Sequence, residues 1–137
     1  MELNKSAETY YFIKNHVTIR PPSFFEMPDV MEVEALIKQQ IAENSVLLYM
    51  KGTPQFPQCG FSARTVEALM QIGEPFAYVN ILENPDIRST LPKIANWPTF
   101  PQLWVKGELI GGCDIVLEMT QKGELAPLVK EATQKAE

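Results

Sequence analysis

The chain has 137 residues, 45% of them hydrophobic, with a formal net charge of −5 and a sequence pI near 4.9. That length supports one globular core and hardly two, and an acidic balance without any block of lysine or arginine makes nucleic acid an unexpected partner. Two cysteines, Cys59 and Cys113, are too few for a disulfide scaffold, the lone histidine His16 cannot complete a four-ligand zinc site, and no apolar stretch approaches the ~20 residues of a membrane span.

Residues 1–30 differ in character from the rest of the chain. Tyr10-Tyr11-Phe12 and Phe24-Phe25 are apolar without period, while Pro21-Pro22 and Pro28 interrupt any helix or central strand. The segment reads as an appendage, disordered, artificially added or an extended reading frame, because Met31 fits a natural start. Its single Arg20 against Glu2, Glu8, Glu26 and Asp29 argues against a transit peptide, and no uninterrupted apolar run resembles a secretory signal. The expected domain is residues 31–137; its cysteine usage suits a reducing compartment, and the cytoplasm is the expected location.

Within that domain, Val33, Leu36, Ile37 and Ile41 recur at helical spacing and predict a helix from Glu32 to Asn44. Val46 to Met50 is a continuous apolar run of strand length, as for a strand covered on both faces. A loop from Lys51 to Gln58 comes next, then a helix from Ser62 to about Ile72 with Gly73 at its C′ position. Phe76 to Ile81 predicts a second buried strand. Asn84-Pro85-Asp86 opens a short helix to about Leu91, with an Asn cap, a proline at N1 and an acid in the first turn. Gln102–Val105 and Glu108–Ile110 flank Lys106-Gly107, a two-residue hairpin turn. Asp114 is expected to cap a helix through Lys122, ended by Gly123, and Glu124 to Lys135 form the last helix. Parallel strands therefore come first and the hairpin late.

Cys59 lies at the junction of the loop and the second helix, beside Gly60, with a serine, Ser62, where a dithiol oxidoreductase would carry its second cysteine. It cannot close a local disulfide, so whatever it reacts with or binds must bring its own sulfur. A cysteine of this kind is most often a small core hydrophobe. Here the unpaired N–H groups of a helix start can stabilise a thiolate instead. A helix end contributes about 0.3 to 1 kcal/mol, and a nearby ammonium can contribute several times that in a partly buried site. Lys51, at the head of the same loop, is the candidate cation and the expected larger influence. Thr99-Phe100-Pro101 can be cis and turn a backbone edge toward a ligand, although from the residues alone a trans turn proline is the default reading. Gly111-Gly112-Cys113-Asp114 permits close backbone approach beside a carboxylate and helix N–H donors, a pairing able to hold an amino-acid end, or simply a turn before a capped helix. Cys113 reads as a packing residue rather than a resolving thiol.

Lys51-Gly52-Thr53-Pro54, Cys59-Gly60-Phe61-Ser62, Trp97-Pro98-Thr99-Phe100-Pro101-Gln102 and Gly111-Gly112-Cys113-Asp114, in that order and spacing, together resemble the monothiol glutaredoxins of the single-domain CGFS type. The resemblance runs from about Met31 to the C-terminus. It implies an α/β thioredoxin fold, a four-stranded mixed sheet flanked by helices, with Pro101 cis and glutathione lying between Cys59 and the Gly112-Cys113-Asp114 turn. By the same resemblance, Lys51 and Arg88 meet the glycine carboxylate, Thr99 and the backbone beside Phe100 and Pro101 pair with the peptide, and Cys113 and Asp114 hold the γ-glutamyl end.

The family's activity implies a 2Fe-2S cluster at a homodimer interface, each subunit giving its CGFS cysteine, here Cys59, and one glutathione thiol. Four thiolates suit such a cluster, and two chains with two glutathiones supply them. The implied function is a cluster carrier or scaffold serving iron homeostasis, with iron-sulfur client proteins and a BolA-type protein as heterodimer partner. The alternative is a glutathione-dependent thiol oxidoreductase in which Cys59 attacks glutathionylated proteins, with weak turnover at most.

Overall fold

The computed structural model describes residues 9–13, 16–20 and 30–134, and for residues 9–13, 16–20, 30 and 31 the backbone alone. Two short strands open the described chain, β1 (Thr9–Ile13) and β2 (His16–Arg20). The remainder runs α1 (Val30–Glu43), β3 (Val46–Met50), α2 (Gly60–Ile72), β4 (Phe76–Asn80), α3 (Pro85–Ala95), β5 (Gln102–Val105), β6 (Glu108–Gly111), α4 (Cys113–Gln121) and α5 (Leu125–Gln134). All six strands join one sheet in the order β2-β1-β4-β3-β5-β6.

Four of them, β3 to β6, make the mixed sheet of the thioredoxin fold. β3 runs parallel to β4 and antiparallel to β5, and β6 returns antiparallel beside β5. Within the segment set apart from the domain, β1 and β2 form a hairpin whose first strand pairs antiparallel with β4, Tyr10 opposite Tyr78 and Phe12 opposite Phe76. Pro21-Pro22, Phe24-Phe25 and Pro28 lie outside the described residues, as does the expected helix end at Lys135.

Strand alternation sorts the core into two layers. Val46, Leu48 and Met50 face α2, α4 and α5, where they meet Leu69, Val116, Leu125 and Val129. Leu47 and Tyr49 face the other way, onto Val33 and Ile37 of α1 and Ile87 and Leu91 of α3. β3 is therefore buried on both faces, which is why its sequence is an unbroken apolar run. Each such aliphatic side chain contributes about 1.5 to 3 kcal/mol when fully buried.

Several boundaries move from their sequence positions. α2 begins at Gly60 and α1 at Val30, each two residues earlier than expected. α3 continues through Pro92 to Ala95, because Ile94 and Ala95 pack against the α1-side core and Asn96, in the left-handed region at φ 53, ends the helix. Asn84 does occupy the cap of α3, but its side chain makes no cap bond: its Nδ2 donates instead to the Asn80 carbonyl at 2.6 Å. Asp114 is not the cap of α4. That place falls to Gly112, in extended conformation, and Asp114 sits in the first turn. Gly73, at φ 87, closes α2 as read from the sequence. Lys106 and Gly107, at φ 53 and 82, form the expected turn with both central residues left-handed.

Candidate functional site

The strand register brings four separate segments to one end of the sheet. Met50 stands opposite Asn80 in the parallel pair, Tyr49 opposite Gln102 in the antiparallel one, and Leu103 opposite Gly111. The loop after β3, the start of α3, the residues before β5 and the turn after β6 must therefore converge. They enclose a cavity of about 550 Å³. Ligand pockets commonly span about 300 to 1,000 Å³, so a tripeptide-sized molecule suits it.

The cavity gathers Cys59 and each of the residues that the resemblance assigned to glutathione. Cys59 and Lys51 come from the loop after β3, Arg88 from α3, Thr99, Phe100 and Pro101 from the segment before β5, and Gly112, Cys113 and Asp114 from the start of α4. Cys59 is half-buried, Cys113 buried, and neither is in a disulfide. Arg88 and Asp114 are exposed at the rim. The Phe100–Pro101 peptide is cis. At Gly112 a Cβ would come within 3.2 Å of the Pro101 carbonyl, so a glycine lets the start of α4 press against that proline. Beneath the segment before β5, Gln102 is fully buried and its Nε2 donates to the carbonyls of Trp97 at 3.0 Å and Thr99 at 3.3 Å. Its Oε1 accepts from the Trp104 indole at 3.2 Å.

Cys59 is the N-cap of α2, at φ −151 and ψ 136. From this position a side chain leans over the first turn, whose amides have no partner within the helix. The Ser62 amide is the strongest of the influences holding the Cys59 thiol below its ordinary range. Partial burial opposes it, and the Phe61 amide, the Lys51 charge and the Ser62 hydroxyl assist it. No cap hydrogen bond to the sulfur is closed, so the amides act as oriented dipoles. The expected ranking is thereby reversed: the helix start outweighs Lys51. The ammonium is half-exposed, and water screens it, whereas the amides are fixed beneath the sulfur.

Other residues of the site escaped the sequence reading. Pro92 and Ile115 line the cavity, and Phe61 lines it while standing 55% exposed next to Cys59. Phe56, in the loop between Lys51 and Cys59, is 72% exposed. Pro92 and Ile115 carry no local signal, since a helix proline and an aliphatic residue after a cap read as ordinary. Among the described residues, no three histidine, cysteine, aspartate or glutamate side chains cluster as metal ligands, and no helix is long and apolar enough to cross a membrane.

Comparison with known proteins agrees with this geometry. The glutaredoxin family model matches residues 46–110. The chain is 71% identical to a Haemophilus ducreyi protein named glutaredoxin 4, over 77% of this chain and 98% of that protein. It is 69% identical to glutaredoxin 4 of Escherichia coli, over 72% of this chain and 86% of the relative. Among solved structures, that of reduced apo GrxS14 from poplar superposes with a TM-score of 0.64 at 45% identity, covering 73% of this chain and 92% of the other. With a thioredoxin-type sheet, one cap-position thiol and relatives matched over nearly their whole length, the chain belongs to the glutaredoxin family.

Proposed function

We propose that this glutaredoxin is of the monothiol type, that it seats glutathione in the cavity beside Cys59, and that its cargo is a 2Fe-2S cluster shared between two chains and passed to client proteins. The observation that carries the reading is the donor set. Each chain offers one half-exposed sulfur, held toward the thiolate, at the mouth of a cavity flanked by two cations. Since no three histidine, cysteine, aspartate or glutamate side chains cluster among the described residues, two chains and two glutathione thiols are the simplest route to four thiolates.

In this reading Lys51 and Arg88 take the glycine carboxylate of glutathione, and the backbone at Thr99, Phe100 and Pro101 pairs with its peptide. Gly112, Cys113 and Asp114 take its γ-glutamyl end, where the exposed Asp114 carboxylate suits the ammonium. The glutathione thiol then lies beside Cys59. Phe56 and Phe61, exposed around Cys59, would be covered by the second copy or by a BolA-type protein replacing it. Ligands borrowed from a diffusible tripeptide make the cargo easy to release, which suits delivery in the cytoplasm.

Anaerobic reconstitution with iron, sulfide and glutathione, followed by absorbance and size-exclusion, tests the reading. A coloured dimer that bleaches when glutathione is removed is expected. A protein that stays colourless and monomeric overturns it.

The reactive state of Cys59 favours one second reading, that of a deglutathionylating enzyme. The Cys59 thiolate attacks the glutathione sulfur of a mixed disulfide and releases the protein thiolate. A second glutathione thiolate then attacks the Cys59–glutathione bond, leaving oxidised glutathione and the free Cys59 thiolate. Rapid turnover of a glutathionylated peptide by colourless monomer would make this the main activity.

A further inference from the structure

Two buried residues that do not themselves line the cavity hold the base of the loop carrying Lys51 and Cys59. Where β3 ends at Met50, the sheet ladder no longer supplies partners for the next amides, and a buried amide without one is costly. The Lys51 N–H donates to the Ser62 hydroxyl at 3.1 Å, and the Gly52 N–H donates to Asn80 Oδ1 at 2.9 Å. Ser62 is 0% exposed in the first turn of α2, and Asn80 is 6% exposed at the end of β4. Neither lines the cavity.

We propose that Ser62 and Asn80 are positioning residues, a clamp on the successive amides of Lys51 and Gly52 that sets Lys51 and Cys59 against each other and against Arg88. The connections run both ways from the clamp. The Lys51 carbonyl accepts from the Gln58 amide at 2.9 Å, and Gly52 bridges to Pro57, so the loop closes on itself one residue before Cys59. Gly52, at φ +95, has no room for a side chain: a Cβ would meet the Phe56 carbonyl at 2.6 Å and the Gln58 amide at 2.7 Å. On the other side, Asn80 Oδ1 also accepts from the Leu82 amide at 3.0 Å. The Asn80 carbonyl accepts from Asn84 Nδ2, and Asn84 caps the helix that carries Arg88, whose amide donates to the Asn84 carbonyl at 3.0 Å. A continuous chain of short polar contacts thus joins the two cations of the cavity from beneath. The Ser62 hydroxyl, besides accepting from Lys51, helps hold the Cys59 thiol down.

This inference rests on the cavity being a glutathione seat, and the test separates the two. The full chain is alkylated with iodoacetamide, and label on the Cys59 peptide is followed by mass spectrometry across pH. The measurement is made with and without S-methylglutathione, which has no thiol to react. Asn80→Leu and Ser62→Ala are expected to need about fivefold more S-methylglutathione for half-protection, the equivalent of one lost hydrogen bond of about 1 kcal/mol. Asn80→Asp keeps an acceptor oxygen in the place of Oδ1 and is expected to return half-protection to near the wild-type value. The alkylation midpoint of Ser62→Ala is expected to move to higher pH. Equal half-protection in wild type, Asn80→Leu and Ser62→Ala overturns the clamp, as does an Asn80→Asp variant as impaired as Asn80→Leu. Should Asn80→Leu fail to fold, Ser62→Ala and Asn80→Asp decide. If S-methylglutathione does not protect the wild type at all, the glutathione seat fails, and an unmoved midpoint in Ser62→Ala then overturns the clamp independently.

Discussion

Cys59 and Cys113 both stand at the start of a helix and both line the cavity, but Cys59 occupies the cap of α2 while Cys113 is the first helical residue of α4, after Gly112. A cap residue is extended, and its side chain folds back over amides that lack helical partners; a residue one place later does not reach them. Cys59 is half-buried and open to reaction, whereas Cys113 is only 6% exposed. One step of register relative to a helix start separates a sulfur that can work from one that mainly fills space.

The largest expected consequence is at the cap. Cys59→Ser should abolish both cluster assembly, read by absorbance after reconstitution, and deglutathionylation, read by release of glutathione from a labelled peptide. Retained colour in that variant would shift the ligand role to Cys113 and undo the contrast. Next come the cations proposed to hold glutathione beside that sulfur: Lys51→Ala and Arg88→Ala should each weaken S-methylglutathione binding about three- to tenfold, as for a charge-assisted hydrogen bond partly open to water. Calorimetry checks this, and unchanged affinity in both would empty the cavity of its proposed occupant. Cys113→Ala should cost about 1 kcal/mol, a few degrees of Tm in a thermal melt, while the alkylation midpoint of Cys59 stays in place.

The subtlest effect discriminates best between the two causes acting on Cys59. Proline is tolerated in the first turn of a helix and has no N–H, so Phe61→Pro removes one donor beneath Cys59 and should raise its alkylation midpoint more than Lys51→Ala does, in keeping with the order of influences on that thiol. The direction of the shift also gives the sign of the pH dependence. A thiol held low in the folded chain stabilises the fold above the ordinary thiol range of ~8.5, and that contribution fades as pH falls through the lowered value. Reactivity at Cys59 should therefore persist below the range of an ordinary thiol. A larger response to Lys51→Ala than to Phe61→Pro would restore the lysine as the principal cause.

Much of this was legible in the residues because local chemistry and tertiary structure agree. The run Val46–Met50 had to be a doubly covered strand, and Lys106-Gly107 had to turn a hairpin. The separated motifs converge because the strand order places their loops at one end of the sheet. What the sequence concealed depends on partners distant along the chain. Asn80 reads as a lone polar residue ending an apolar strand; only the parallel pairing with β3 sets it beneath Gly52, 28 positions away. Ser62 reads as the missing second cysteine, and its burial beneath Lys51 emerges only when α2 docks. Pro92 misleads for the same reason, since propensity ends a helix that packing by Ile94 and Ala95 prolongs.

The pairing of β1 along β4 has a practical corollary. Cleaving the polypeptide just ahead of Val30 would strip one rank of partners from β4 and leave its amides and carbonyls facing solvent, a template for edge-to-edge stacking. A shortened protein would then carry a free strand edge unrelated to Cys59, and mass measurements that test the proposed cluster-bridged pair are best made with the hairpin retained.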